Sequence, residues 1–300
     1  MKLDTLNLLT GRARSRMALP LALALLIPLA ASASYHEDGY YFQTVIFPGD
    51  NFTQLLGIND GERLAGYHNS TNFFGLTLAL PNHFSAENFP GAAQTQVVGI
   101  NNSGNTDGFY IDDGNTNHGF LELGHDFLTV DYPGTSFNQL LGLNRFNQAA
   151  GYYADTNGND HPYVYSAASG VFQSLALPNA VSAQATGIND SQTVCGFYID
   201  GLGTNHGFIF LANGTIHVLD FPKSTFTQAL GLNNLNLVVG SYMDTNNASH
   251  GFIYDNGRFT SIDDPDGIGT TVVNGVNDDS QLVGFYVDAE MNTDGFVARR

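Results

Sequence analysis

The side chains in this sequence that could bind an ion or move a proton recur at fixed intervals. Aspartates stand at Asp112, Asp155, Asp200, Asp244 and Asp288. Six residues after each of the first four comes a histidine, at His118, His161, His206 and His250, and Asp294 holds that place after Asp288. Carboxylate oxygens are the ligands of hard cations such as calcium, and an imidazole beside a carboxylate is a proton-transfer pair. Two readings follow. The residues form a metal or ligand rim, or each Asp locks its own turn by accepting amide hydrogen bonds and holding the His. Recurrence points to the lock, because a catalytic centre is normally asymmetric. Asp155 to Asn159 resembles the opening of a calcium loop, yet Asp160 stands where glycine belongs and Ser166 where the bidentate Glu belongs. Weak calcium binding at the Asp rim is the one cofactor the residues suggest.

One copy departs from the pattern. His68, Asn69 and Ser70 replace the Tyr-x-Asp found elsewhere, and no His-Gly-Phe follows. If a ligand-facing patch exists, this gap is where it is expected. Gln54, Gln96, Gln139, Gln184 and Gln228 recur as well, and are expected to line an axial channel and hold water. The single cysteine, Cys195, excludes an internal disulfide and reads as a buried, inert thiol. Familiar enzyme signatures fit poorly. There is no Gly-x-Ser-x-Gly elbow, no His-x-x-x-His pair for zinc, and Gly201-Leu202-Gly203 lacks the third glycine of a dinucleotide loop. The chain has no Trp for stacking on sugars.

These residues must be positioned by a repeat. A Gly-apolar-Asn triplet begins at Gly57, Gly99, Gly142, Gly187, Gly231 and Gly275. A second glycine follows nine residues later each time, and a proline closes each copy at Pro48, Pro90, Pro133, Pro178, Pro222 and Pro265. Within a copy, short aromatic and β-branched runs are separated by Asn, Asp and Gly turns, which is the strand and hairpin signal. Four strands in about 40–45 residues match a propeller blade. The expected fold is all-β, a six-bladed β-propeller with four antiparallel strands per blade. The segment Tyr40 to Phe47 reads as a lone fourth strand whose three companions lie at the C-terminus, so the last blade is expected to close from both termini.

Residues 1–33 read as a secretory signal, with a basic start, an apolar core over Met17 to Leu29 and an Ala31-Ser32-Ala33 cleavage site. Residues 34–300 then form the single propeller domain. The whole chain carries a net charge of −18. Without the leader, six basic and 27 acidic residues remain, a net of −21. Such a surface repels nucleic acid and anionic lipid.

The consensus, best seen in Gly187 to Pro222 and Gly231 to Pro265, resembles that of the bacterial extracellular HAF-repeat proteins. The similarity covers residues 40–300. It implies a secreted β-propeller and carries over no catalytic residue. Residues and resemblance together suggest a secreted or periplasmic, non-catalytic binding propeller with no membrane span after cleavage. The alternative is a calcium-dependent, lactonase-like hydrolase with its metal at the central channel. A binding module should combine a symmetric polar channel with an exposed asymmetric patch, whereas an enzyme should show blade-specific acids converging on the axis.

Overall fold

The computed structural model describes residues 34–35, 39–69 and 71–300. The leader reading over 1–33 and the candidate Ser70 lie outside them. Every regular element among the described residues is a strand. No helix among them is long and apolar enough to cross a membrane.

In chain order, β1 (Ser34–Tyr35) and β2 (Tyr41–Val45) come first. Then β3 (Thr53–Ile58), β4 (Arg63–Asn69), β5 (Phe73–Ala79) and β6 (His83–Ala86) form one antiparallel sheet. The next sheet is β7 (Gln94–Ile100), β8 (Thr106–Ile111), β9 (Asn117–Leu123) and β10 (Asp126–Val130). It is followed by β11 (Asn138–Leu143), β12 (Gln148–Ala154), β13 (Asp160–Ser166) and β14 (Val171–Ser174). An eight-stranded sheet holds β15 (Ala180–Ile188), β16 (Val194–Asp200), β17 (Asn205–Phe210), β18 (Ile216–Leu219), β19 (Phe226–Leu232), β20 (Val238–Met243), β21 (Ser249–Asp255) and β22 (Arg258–Ile262). Its two antiparallel runs meet only through one parallel pair, Asn205 with Phe226. Similar parallel bridges link other sheets at Asn117–Phe137, Ser249–Thr270 and Phe52–Thr293. The final sheet has the order β1-β2-β25-β24-β23, with β23 (Val272–Val276), β24 (Leu282–Val287) and β25 (Thr293–Arg299). Here β2 pairs antiparallel with β25, Tyr41 opposite Arg299 and Val45 opposite Gly295. The expected meeting of the termini is present.

The repeated Gly-apolar-Asn triplet has a physical reason. The first strands of successive units adjoin one another at their glycines. A Cβ placed on Gly57, Gly99, Gly142, Gly187, Gly231 or Gly275 would lie 2.8 to 3.5 Å from the Cα of the next glycine in the cycle, with Gly275 returning to Gly57. No side chain fits between these strands. Each glycine also follows a β-bulge, where the pairing with the second strand skips one residue. The second repeated glycine, such as Gly108 or Gly240, lies under the carbonyl of the residue three before the first, Gln96 or Gln228.

The asparagines close a second cycle. The side-chain amides of Asn59, Asn101, Asn144, Asn189 and Asn233 each donate to the backbone carbonyl of the next asparagine, at 2.9, 3.0, 3.1, 3.2 and 2.9 Å. Asn277 donates to the carbonyl of Asn59 at 3.2 Å and completes the circle. The Oδ1 of the same side chain accepts amides of its own turn, for example Ser191 and Thr193 on Asn189, both at 3.0 Å. A side-chain amide suits both tasks, with its acceptor oxygen and its donor nitrogen at separate points of one short group. Away from the axis, the residue after the third-strand glycine or its substitute fills the core. Leu76, Phe120, Tyr163, Phe208, Phe252 and Phe296 are all fully buried. Truncating such an aromatic removes about 3–5 kcal/mol.

Two outcomes are expected. Asn189→Asp keeps the turn acceptor but loses the donor to Asn233, and should cost about 2 kcal/mol or more in chemical denaturation; a variant as stable as the parent contradicts the role of the cycle. Removing residues 34–47 strips β2 from β25 and should lower stability by several kcal/mol or cause aggregation. An unchanged melting temperature in the truncated chain contradicts that.

Candidate functional site

Antiparallel connectivity places the turns after first and third strands at one end of each sheet, and the turns after second strands with the inter-unit loops at the other. The Asp/His residues all belong to the second end. The Oδ1 of Asp112, Asp155, Asp200, Asp244 and Asp288 accepts the amide four residues on, from Thr116, Asn159, Thr204, Ala248 and Asn292, at 2.7 to 3.0 Å. Oδ2 faces the histidine Nε2 at 3.5 Å for Asp112–His118, 3.1 Å for Asp155–His161, 3.6 Å for Asp200–His206 and 3.8 Å for Asp244–His250. The structure therefore brings four of the five Asp to their own His, each within its own turn. These amides hold the carboxyls of Asp112, Asp155, Asp200 and Asp244 below their ordinary range, that of Asp155 at about 2. Among the described residues, no group of three or more His, Cys, Asp or Glu is arranged to hold a metal ion.

The sequence reading missed a third member. In three units the Nδ1 of the same histidine meets a second carboxylate at 2.8 Å, in the pairs His118–Asp131, His206–Asp220 and His250–Asp263. The signal was available, since each of these aspartates stands two residues before a closing proline. Ala176 occupies that place for His161, which has only Asp155. The histidine ring lies over a tyrosine, with centroids 4.9 to 5.1 Å apart, in Tyr110–His118, Tyr153–His161, Tyr198–His206 and Tyr242–His250. The tyrosine in turn stacks on an aromatic from the preceding unit in Phe89–Tyr110, Tyr132–Tyr153 and Phe221–Tyr242, at 3.6 to 4.0 Å.

His68 takes the tyrosine's place in the departing copy. It stacks on Phe47 at 3.6 Å, and its Nδ1 lies 2.5 Å from Asp50 Oδ2. The backbone amide of Asn69 donates to the carbonyl of Phe52 at 3.2 Å. The His68 side chain is thus engaged in the seam where the termini meet. Expectations for the glutamines need correction. Gln54 and Gln139 are buried and accept the hydroxyls of Tyr67 and Tyr152 at 2.5 and 2.8 Å, and Gln184 donates to Asp160 at 2.8 Å. They tie strands together. Cys195 is fully buried, and burial pushes its thiol up to about 12.

At the other end of the sheets lies an axial recess of ~100 Å³, lined by the apolar residue, the Asn and the following residue of the six Gly-apolar-Asn turns. The following residues, Asp60, Asn102, Arg145, Asp190, Asn234 and Asp278, form its rim. They are also linked, Asp278 N to Asp60 Oδ1 at 2.9 Å, Asp60 N to Asn102 Oδ1 at 2.9 Å and Asn234 N to Asp278 Oδ1 at 2.8 Å. Arg145 N to Asp190 Oδ1 at 3.0 Å and Asp190 N to Asn234 Oδ1 at 2.9 Å continue the linkage, and the one gap is at Asn102, because the Arg145 side chain has no acceptor. Its guanidinium lies 4.5 Å from the Phe146 ring centroid, and its Nε is 3.5 Å from Asp190 Oδ2. Phe146 is 49% and Leu235 68% exposed, each at the second position after its turn asparagine. The other turns carry Gly61, Ser103, Ser191 and Asp279 there.

No family profile matches the chain, and no curated protein does. Solved structures do resemble it. A putative TolB from Agrobacterium tumefaciens is 12% identical with a TM-score of 0.60, covering 82% of this chain and 89% of its own. A mutant of AofleA from Arthrobotrys oligospora is 11% identical with a TM-score of 0.57, covering 89% of both chains. A putative gluconolactonase is 12% identical with a TM-score of 0.53, covering 90% of this chain and 97% of its own. The Aleuria aurantia lectin, described as a six-bladed β-propeller with a fucose recognition mode, is 12% identical with a TM-score of 0.50 over 83% of this chain and 93% of its own. The class is thereby defined: the fold is an all-β propeller.

Two measurements address the Asp/His turns. Ala176→Asp should supply the missing partner of His161 Nδ1 and raise stability by at most ~1 kcal/mol, as for other exposed pairs; a fall would show that the third carboxylate is not a stabilising element. The stabilisation from ionised Asp155 is complete above its ordinary value of 3.8 and is lost as pH falls toward about 2. The melting-temperature gap between the parent and Asp155→Asn should therefore stay constant near neutrality and close over that acidic window. A gap still open below it contradicts the assignment.

Proposed function

We propose that this chain is a six-bladed β-propeller, exported to the periplasm or cell exterior, that binds a ligand or partner without catalysis on the end bearing the axial recess. Six asparagines in one closed cycle, and four-stranded antiparallel units joined by similar parallel bridges, support six blades. The leader-like N-terminus and the acidic composition support export. One observation carries the binding reading. Around a polar recess built from repeated turns, the repetition breaks at exposed positions on the two turns that flank that of Asn189, where Arg145 replaces Asp or Asn and Phe146 and Leu235 replace Gly, Ser or Asp. Repeated residues answer to the fold, whereas exposed apolar departures from the repeat answer to recognition.

The test is direct binding. The protein is probed against immobilised glycans, fucosides among them in view of the lectin neighbours, and against exported proteins of the same cell. A ligand found this way should bind the Phe146→Ser, Leu235→Ser double variant at least tenfold more weakly while the melting temperature holds. Undiminished binding by that variant overturns the assignment to this end.

The second reading, a calcium-dependent lactonase-like hydrolase, draws on the fold shared with the putative gluconolactonase and on the crowded turn carboxylates. It requires calcium to raise the melting temperature at constant ionic strength. A weak site adds about 1–2 kcal/mol at tenfold or greater excess over its Kd. Equal midpoints in calcium and chelator remove this reading, and lactone turnover that survives in the double variant would favour it over the first.

A further inference from the structure

One boundary between sheets is built differently from the rest. Three residues before the closing proline, five units bury an aliphatic side chain, Val45, Val130, Leu175, Leu219 or Ile262. The unit of β3 to β6 has Glu87 there. Five residues after the turn asparagine, five units bury Leu64, Ala149, Val194, Val238 or Leu282, whereas β8 has Thr106. Opposite Thr106 on β9 stands Glu122, 6% exposed, where the other third strands carry Leu78, Tyr165, Phe210, Tyr254 or Ala298. Three polar substitutions at core positions thus coincide. The Thr106 hydroxyl donates to Glu87 Oε1 across the boundary between the two sheets.

We propose that this seam is a pH-dependent latch, closed while Glu87 holds a proton beside Thr106 and loosened when Glu87 gives that proton up inside a boundary that already contains Glu122. Burial raises the Glu87 carboxyl, the Thr106 hydrogen bond lowers it and the Glu122 charge raises it again, for a net value of about 7. Arg63 on β4 and His125 in the β9–β10 turn act the other way, and more weakly. The Arg63 guanidinium is drawn to Thr77 at 3.4 Å, and His125 is fully exposed with its Nδ1 3.3 Å from Glu122 Oε1. Asp107, next to Thr106, turns away, its Oδ1 accepting the Gly99 amide at 2.8 Å. Because the folded chain holds the Glu87 proton more tightly than the unfolded chain, stability falls as pH rises from the ordinary value of 4.5 through about 7, then levels off. Asp107 and Asp294, also raised by burial to about 7 and about 6, slope the same way. The Glu87 effect is therefore read as a difference between chains at each pH.

The experiment compares the full chain with Glu87→Val and Glu87→Gln by thermal unfolding and amide hydrogen exchange between about pH 5 and 8.5. At the acidic end the three should melt within a degree or so of one another. At the alkaline end the parent should melt about 3 °C or more below either variant. Amides of β6, β8 and β9 should exchange at least tenfold faster in the parent than in Glu87→Gln there, with β17 to β21 unchanged. Parallel melting profiles, or acceleration spread over all sheets, would overturn the latch. If Glu87→Val does not fold, Glu87→Gln alone decides, since it keeps the shape and removes the charge.

Discussion

The structure depends on a side-chain amide that does two things at once. Each turn asparagine caps its own hairpin through Oδ1 and reaches the neighbouring turn through Nδ2, so local folding of one hairpin presents the carbonyl that the next one needs. The contact works only because glycines let the first strands approach so closely that a Cβ on any of them would lie 2.8 to 3.5 Å from the next glycine's Cα. Neither feature is stable alone. A cycle of hydrogen bonds with one member missing leaves one turn untied from the next, and one bulky residue among the glycines separates two strands along their length. Closure is thus a property of the whole set, and it explains why this triplet is the least varied element of the repeat.

With the ring fixed at the axis, variation is tolerated outward and becomes informative. The Asp/His/Tyr arrangement at one end recurs with small losses, Ala176 for an aspartate and Asp294 for a histidine, and behaves as turn chemistry in register with an aromatic stack. Departures at the other end and in the Glu87 seam are of another kind. They place a group where the remaining copies agree on something chemically opposite. In a repeat protein each copy is a control for the others, so a lone carboxylate at an aliphatic position is legible without any homologue.

Much of this was visible in the sequence. The period, the strand boundaries to within a few residues, the pairing of β2 with β25 and the turn-locking role of Asp155 and its counterparts follow from spacing and turn chemistry. Two things were not. Gln54 and its equivalents were expected to line a channel from their recurrence alone, and their partners, such as Tyr67, Tyr152 and Asp160, lie on other strands that spacing does not bring together. Asp131, Asp220 and Asp263 were missed because their partners lie 13 or 14 residues away, on a strand whose register sequence alone does not supply. The Glu87, Thr106 and Glu122 group was hidden for the same reason, being adjacent only across two sheets.

Pairing of β2 with β25 also orders events in time. Strand β2 finds its partner among residues made 250 or more positions later. Contacts of that sequence separation are slow to form, and until they do, the sheet of β23 to β25 keeps an open edge. Until β25 has been made, a nascent chain is therefore a string of hairpins with no closed axis.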